Sequence, residues 1–156
     1  MNKPVVAELG GKRVLLLDSI TWLASEDAGQ IVVTGSHGGR SAGDCATNVA
    51  LALCCFNDAG VGKERAGIVA LDMLQQRGSP GLAYSHDSAR VGDALDAWRN
   101  GVISHVNPSA ATLGFSIGES LQPALRRTFD SSSVAALVTS SVTTSVSTIG
   151  GAGALK

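Results

Sequence analysis

Charge is scarce in this 156-residue chain, and neither sign dominates. Twelve Lys and Arg residues stand against 13 Asp and Glu residues, which gives a net charge of -1. Proteins that bind nucleic acid or acidic membrane surfaces usually carry a clear positive excess, so we expect neither partner. The charged fraction is 16%, against about 25% in typical domains. A surface with so little charge favours a buried subunit interface, and we therefore predict a homo-oligomer.

The sequence also lacks long apolar runs and has few cysteines. No stretch approaches the roughly 20 apolar residues that a membrane span needs, and Met1 to Pro4 lack the apolar core of a signal peptide. Cys45, Cys54 and Cys55 do not have the spacing of a disulfide framework or of a zinc site. These absences predict a cytoplasmic protein with no membrane partner, no structural disulfide, no metal and no other cofactor.

Short apolar runs alternate with polar loops and helical stretches. The first two runs, 5–9 and 13–18, meet at Gly10-Gly11 and predict an antiparallel hairpin. The later apolar runs occupy 31–34, 51–56 and 81–85, and the helical stretches occupy 41–50, 63–76, 93–100 and 109–127. Repeated strand, loop and helix units predict a three-layer α/β fold. We expect a mostly parallel sheet with helices on both faces and the antiparallel N-terminal hairpin at its edge.

Composition divides the chain into two parts. Residues 1–130 are expected to form a single α/β domain, because a chain of this size buries about 70% of its unfolded surface in one core. Residues 131–156 form a tail rich in Ser, Thr and Val that carries no charge before Lys156. The β-propensity of this tail favours an interface arm, whereas its low complexity is typical of disorder, and both alternatives stay open.

Polar residues cluster in the loops after three of the predicted strands. The carboxyl ends of parallel strands meet at one edge of a sheet, so these loops are expected to form one site. The first loop supplies the hydroxyl of Ser36 and a general acid or base, His37. The string His37-Gly38-Gly39 resembles the oxyanion-hole motif of some lipases and esterases, and no nucleophile elbow is assigned beside it. Its two glycine amides are expected to stabilise an oxyanion.

The second loop opens the strongest predicted helix and has the features of an anion site. Free amides, the helix dipole and the Lys63 ammonium would favour a phosphate or carboxylate near Asn57 and Asp58. A P-loop is excluded, because Asn57 stands at its first glycine and Glu64 replaces the Ser or Thr after the lysine. The alternative is structural: Asn57 or Asp58 caps the turn, and Lys63 pairs with a neighbouring acid.

The third loop carries the expected substrate anchor. Ser88 and Arg90 are expected to hold a carboxylate, with His86 moving a proton and Asp93 nearby. The alternative is again structural, with Ser88 capping a helix and Arg90 paired with Asp93 or Asp96.

Together these groups predict a small-molecule enzyme. We expect a hydrolase of an amide, ester or related carbonyl bond in a small anionic substrate, with no nucleic-acid partner. The predicted catalytic residues are His37, His86, Lys63, Asp58 and Ser36, and the predicted binding residues are Gly38, Gly39, Asn57, Ser88, Arg90 and Asp93. The candidate nucleophiles are Ser36, Ser88, Cys55 and Lys63. The alternative for Cys55 is a small buried core residue. A lyase or isomerase that abstracts a proton beside a carbonyl, and a non-catalytic anion-binding or assembly module, stay as alternatives.

Overall fold

Six strands form one mixed sheet in a computed structural model that describes residues 3–130. The strands are β1 (Val5–Leu9), β2 (Lys12–Leu17), β3 (Ile31–His37), β4 (Leu53–Asn57), β5 (Gly81–Tyr84) and β6 (Ile103–Val106). They lie in sequence order, with β2 to β5 parallel and with β1 and β6 antiparallel at the two edges. The tail at 131–156 lies outside the described residues, and the homo-oligomer stays a prediction.

Helices cover both faces of this sheet. They are α1 (Arg40–Thr47), α2 (Val69–Gln76), α3 (Ala94–Asn100), α4 (Pro108–Thr112) and α5 (Leu121–Phe129). Short 3-10 turns occupy Ile20–Trp22, Ser25–Asp27 and Lys63–Arg65. Within residues 3–130, none of the helices has the length and apolar character needed to cross a membrane.

Two apolar cores lie on opposite sides of the sheet, because successive side chains of a strand point to opposite faces. In β4, Cys55 enters the core that contains Trp98 of α3 and Leu125 of α5. Its neighbour Phe56 enters the other core, which contains Ala46 of α1 and Leu74 of α2. The predicted three-layer α/β architecture is therefore confirmed.

The N-terminal hairpin is confirmed as well. Leu9 pairs with Lys12, so Gly10 and Gly11 form a two-residue turn. Their φ angles are 60° and 82°, which glycine adopts without the clash that a Cβ would introduce.

Some boundaries differ from the sequence-based predictions. The predicted helix at 63–76 begins only at Val69, because Glu64 and Arg65 have left-handed backbone with φ of 55° and 63°. The helix predicted at 109–127 divides into α4 and α5, since Gly114 and Gly118 also take positive φ, at 104° and 96°. The short edge strand β6 was not predicted.

Candidate functional site

The three polar loops begin side by side at the carboxyl edge of the parallel strands. His37 pairs with Asn57 between β3 and β4, and Asn57 pairs with Tyr84 between β4 and β5. Neighbouring strands lie about 4.8 Å apart, so the starts of the three loops span about 10 Å of backbone. Their side chains nevertheless divide into two groups.

The first group lines a cleft of about 420 Å³ beside the end of β3. His37, Arg40, Ser41 and Cys45 contribute polar lining, and Ile20 contributes apolar lining. Clefts of this size and mixed character are typical of small-molecule sites.

The backbone beside this cleft offers several hydrogen-bond donors. The first-turn amides of α1, at Arg40, Ser41 and Ala42, have no acceptor inside the helix. The preceding residue, Gly39, supplies no side-chain cap. The Gly38 amide, in contrast, donates to the carbonyl oxygen of Asn57 at 3.2 Å. Of the two glycine amides expected to hold an oxyanion, the one at Gly38 is therefore already engaged.

His37 reaches the cleft because a glycine follows two residues later. A Cβ placed on Gly39 would lie 2.9 Å from Nε2 of His37 and 3.1 Å from its Cδ2. Real Cβ atoms do not approach other atoms this closely without a shift, so a side chain at position 39 would displace the imidazole. Residue 39 is therefore glycine for a steric reason. The His37 side chain is exposed to solvent.

Ser41 lines the cleft and is not among the predicted site residues. The string Gly39-Arg40-Ser41-Ala42-Gly43 fits the G-x-S-x-G pattern, so the sequence does contain the motif of a nucleophile elbow next to His37. It lies between a strand and a helix, as that pattern requires, and Ser41 is exposed. Ser41 is nevertheless the second residue of α1 and does not have positive φ. It therefore sits at a helix N-terminus rather than in the strained turn of an elbow.

A shallower depression of about 230 Å³ adjoins the cleft. Arg40 and Ala66 line both cavities, and Lys63 and Glu64 line only the depression. Of the three site residues predicted in the second loop, Lys63 therefore lines a cavity next to the cleft, whereas Asn57 and Asp58 line neither cavity.

The second group forms around Asp58, just after β4. This residue is 5% exposed. Its Oδ1 accepts hydrogen bonds from the amides of Gly60 at 2.8 Å and His86 at 3.0 Å, and lies 3.2 Å from Nδ1 of His86. Burial raises the pKa of the Asp58 carboxyl, but hydrogen bonds from Gly60, Ser104 and His86 outweigh it and lower the pKa below its usual value. An ionised Asp58 therefore holds His86 against the loop after β4 through these hydrogen bonds.

Both ring nitrogens of His86 face carboxylates. Nδ1 lies beside Asp58, and Nε2 is 3.3 Å from Oδ1 of Asp87, whose side chain is 86% exposed. This arrangement places two negative charges around the imidazole and holds its orientation.

The loop between these two groups is strained. Within residues 3–130, the non-glycine residues with positive φ all lie in it and are Ala59, Val61, Glu64 and Arg65. Left-handed backbone costs an L-residue about 1–2 kcal/mol, and a β-branched residue is a particularly rare occupant. Contacts at both ends hold the conformation: Gly60 donates to Asp58, and the Gly67 amide donates to the carbonyl of Val61 at 2.6 Å.

Two predicted binding residues have buried or partly buried structural partners. Asn57 is 0% exposed, donates from Nδ2 to the carbonyl of Ala89 at 3.0 Å, and accepts from the Ala59 amide at 2.8 Å. Ser88 donates from its hydroxyl to the carbonyl of Ser85 at 2.7 Å, and the same hydroxyl accepts from the Val102 amide at 2.9 Å. Neither side chain lines the cleft.

Arg90 and Asp93 lie at the start of α3, away from the cleft lining. Asp93 caps α3 by accepting from the Asp96 amide at 2.9 Å. The side chains of Arg90, Asp93 and Asp96 line a common surface depression, and hydrogen bonds from Asn100 and the Arg90 amide lower the pKa of Asp96. Asp93 therefore has a structural role as the cap of α3. The alternative pairing of Arg90 with Asp93 or Asp96 is not among the ion pairs of residues 3–130, and the Ser88 hydroxyl contacts Ser85 and Val102 instead of capping a helix.

The two remaining candidate nucleophiles have different surroundings. Ser36 lines the cleft, but its hydroxyl oxygen accepts from the Ile20 amide at 3.0 Å. Cys55 is 0% exposed, and burial raises the pKa of its thiol. This burial agrees with the alternative that Cys55 is a small core residue, because a buried sulfur is closed to substrate and its thiolate is disfavoured.

No family model, curated protein or solved structure matches the chain. The functional argument therefore rests on the geometry of the two groups.

Proposed function

We propose that the protein is a small-molecule hydrolase whose active site is the cleft beside β3. The observation that carries this proposal is the presence of Ser41, His37 and the uncapped start of α1 around one cleft of about 420 Å³. These groups correspond to a nucleophile, a general base and oxyanion donors, which are the parts that acyl transfer needs. The bond cleaved is an amide, ester or related carbonyl bond.

The proposed reaction proceeds through an acyl-enzyme. Ser41 Oγ attacks the carbonyl carbon while His37 accepts the hydroxyl proton, and amides at the start of α1 bind the oxygen that becomes negative. The tetrahedral intermediate then breaks its bond to the leaving group, which takes the proton from His37. Water, deprotonated by His37, attacks the acyl group. The acid product leaves and Ser41 regains its proton.

His37 suits this role better than His86 because of what surrounds each ring. Accepting a proton from a nucleophile requires a free ring nitrogen. Asp58 and Asp87 occupy both nitrogens of His86. His37 instead lies exposed at the cleft.

A fluorophosphonate probe tests the proposal without a known substrate, because it phosphonylates activated serines. We expect peptide mass spectrometry to place the adduct on Ser41. Ser41→Ala should abolish labelling and turnover of activated p-nitrophenyl esters, and His37→Gln should slow both by about 100-fold or more. Ser36→Ala is the matched control, since it removes another hydroxyl from the same cleft.

Retention of ester turnover in both Ser41→Ala and His37→Gln would refute the assignment. Reaction in oxygen-18 water distinguishes the reaction class. Hydrolysis must incorporate solvent oxygen into the acid product, whereas proton abstraction by a lyase or isomerase need not.

A further inference from the structure

Positive charge collects where the cleft meets the adjoining depression. Arg40 lines both cavities, and Lys63 lines the second. Among residues 3–130, neither side chain forms an ion pair. Glu64 is the one acidic residue that lines either cavity. We call the two joined cavities the Arg40–Lys63 groove.

The other charged side chains at this edge of the sheet have neighbours of opposite charge or lie in negative surroundings. Arg65 pairs with Asp72 at 3.5 Å, and Arg90 shares its depression with two aspartates. Arg40 also borders a separate depression that Asp44 and Asp72 line, but no acidic residue within 3–130 lines the cleft beside it. His86 has a carboxylate at each ring nitrogen. An anionic ligand would therefore meet repulsion near His86 and attraction at the groove.

We propose that the Arg40–Lys63 groove binds the anionic group of a small organic molecule, a carboxylate or a phosphate, with the organic part in the cleft. A guanidinium offers paired N–H donors to either group, and the ammonium adds a second positive charge. Ile20 gives the organic part an apolar wall. Calling this ligand the substrate, with Arg40 and Lys63 as its specificity determinants, rests on the proposed hydrolase. The binding itself requires no hydrolysis.

Cys45 supplies a reporter inside this groove. It lines the cleft and is partly exposed, whereas Cys54 and Cys55 are both 0% exposed. Iodoacetate and iodoacetamide alkylate a thiol by the same displacement: a sulfur–carbon bond forms, iodide leaves, and the thiol proton passes to the buffer. Because only iodoacetate is negative, the ratio of the two alkylation rates measures the charge around Cys45.

We expect the rate ratio of iodoacetate to iodoacetamide at Cys45 to be about tenfold higher in the native protein than in urea-unfolded protein. Arg40→Gln and Lys63→Gln should each lower the native ratio severalfold. Arg99→Gln is the matched control, because it removes the same charge from an exposed position on α3. Intact-mass measurement gives the rates, and peptide mapping assigns them to Cys45.

A native ratio equal to the unfolded ratio, or one that Lys63→Gln leaves unchanged, would overturn the proposal. Lys63 is exposed, so this variant keeps the test valid even where Arg40→Gln unfolds the chain. Millimolar propionate and inorganic phosphate form two further arms. The anion that slows alkylation identifies the bound group, and protection by neither contradicts anion binding. Because labelling of Ser41 is scored separately, failure of the groove and failure of the hydrolase are distinguishable.

Discussion

Asp58→Ala should destabilise the fold more than the loss of any exposed carboxylate. Alanine leaves the amides of Gly60 and His86 without the acceptor they share. A hydrogen bond to a charged group contributes about 1.5–3 kcal/mol, so these two partly buried bonds correspond to about 3 kcal/mol. The His86 ring is 47% exposed, and water replaces that contact. Partial release of the strained loop offsets about 1 kcal/mol, which leaves an expected loss of about 2–3 kcal/mol.

The size of this loss should depend on pH in one direction. The folded state lowers the pKa of Asp58 below the unfolded value of about 3.9. A carboxyl with a lowered pKa contributes stability above its unfolded pKa, and that stability is lost as pH falls through the folded pKa. The difference between wild type and Asp58→Ala should therefore shrink below about pH 4.

Urea unfolding followed by tryptophan fluorescence measures both effects, because Trp98 is buried in one core at 6% exposure. Asp87→Ala is the control, since its carboxylate touches the same imidazole but is 86% exposed. The reasoning is refuted if the two alanine variants lose equal stability, or if acidification leaves the Asp58→Ala difference unchanged.

Two further predictions concern close packing and a buried hydroxyl. Gly35→Ala should lose about 1–3 kcal/mol in urea unfolding, because its Cβ would lie 2.6 Å from the backbone of Gly92 and Asp93. Gly43→Ala should lose less, since its closest contact is the flexible end of Met73, and equal losses would contradict this explanation. Tyr84→Phe should lower stability by about 1 kcal/mol, because the buried hydroxyl donates to the Thr34 carbonyl at 2.7 Å; an unchanged thermal midpoint would show that this bond contributes nothing.

Local sequence patterns predicted strands β1 to β5 but not the edge strand β6. Adjacent glycines predicted the hairpin because a two-residue turn requires positive φ there. Apolar runs predicted β3, β4 and β5 because these strands are buried on both faces. The missed strand, β6, has only four residues, and Ser104 and His105 interrupt its apolar pattern. Its pairing with β5 follows a connection through α3, which no local pattern specifies.

The candidate site was likewise predictable from the sequence only in part. Glycines and polar residues indicated the segment 36–40, which spans the end of β3 and the start of α1 and contributes several residues to the cleft lining. The G-x-S-x-G pattern was available to indicate Ser41. The arginine that lines the cleft was harder to predict, and Arg90 was the expected substrate anchor. Arg40 and Arg90 each border a depression that two aspartates also line, but only Arg40 lines the cleft as well, where no acidic residue of the described part of the chain joins it. Only the tertiary arrangement shows which arginine borders the cleft.

The strained loop connects these observations. A regular helix from residue 63, as the sequence predicted, would give Glu64 and Arg65 unstrained right-handed backbone. The fold instead keeps them left-handed, so α2 begins at Val69 while Lys63 and Ala66 line the depression beside the cleft. Strain that a relaxed alternative would remove persists only where surrounding contacts fix it, and it is concentrated at functional sites. Asp58 supplies one such contact through Gly60. We infer that the Asp58–His86 pair positions this loop beside the groove, at a distance from His37 and Ser41, which carry the proposed chemistry.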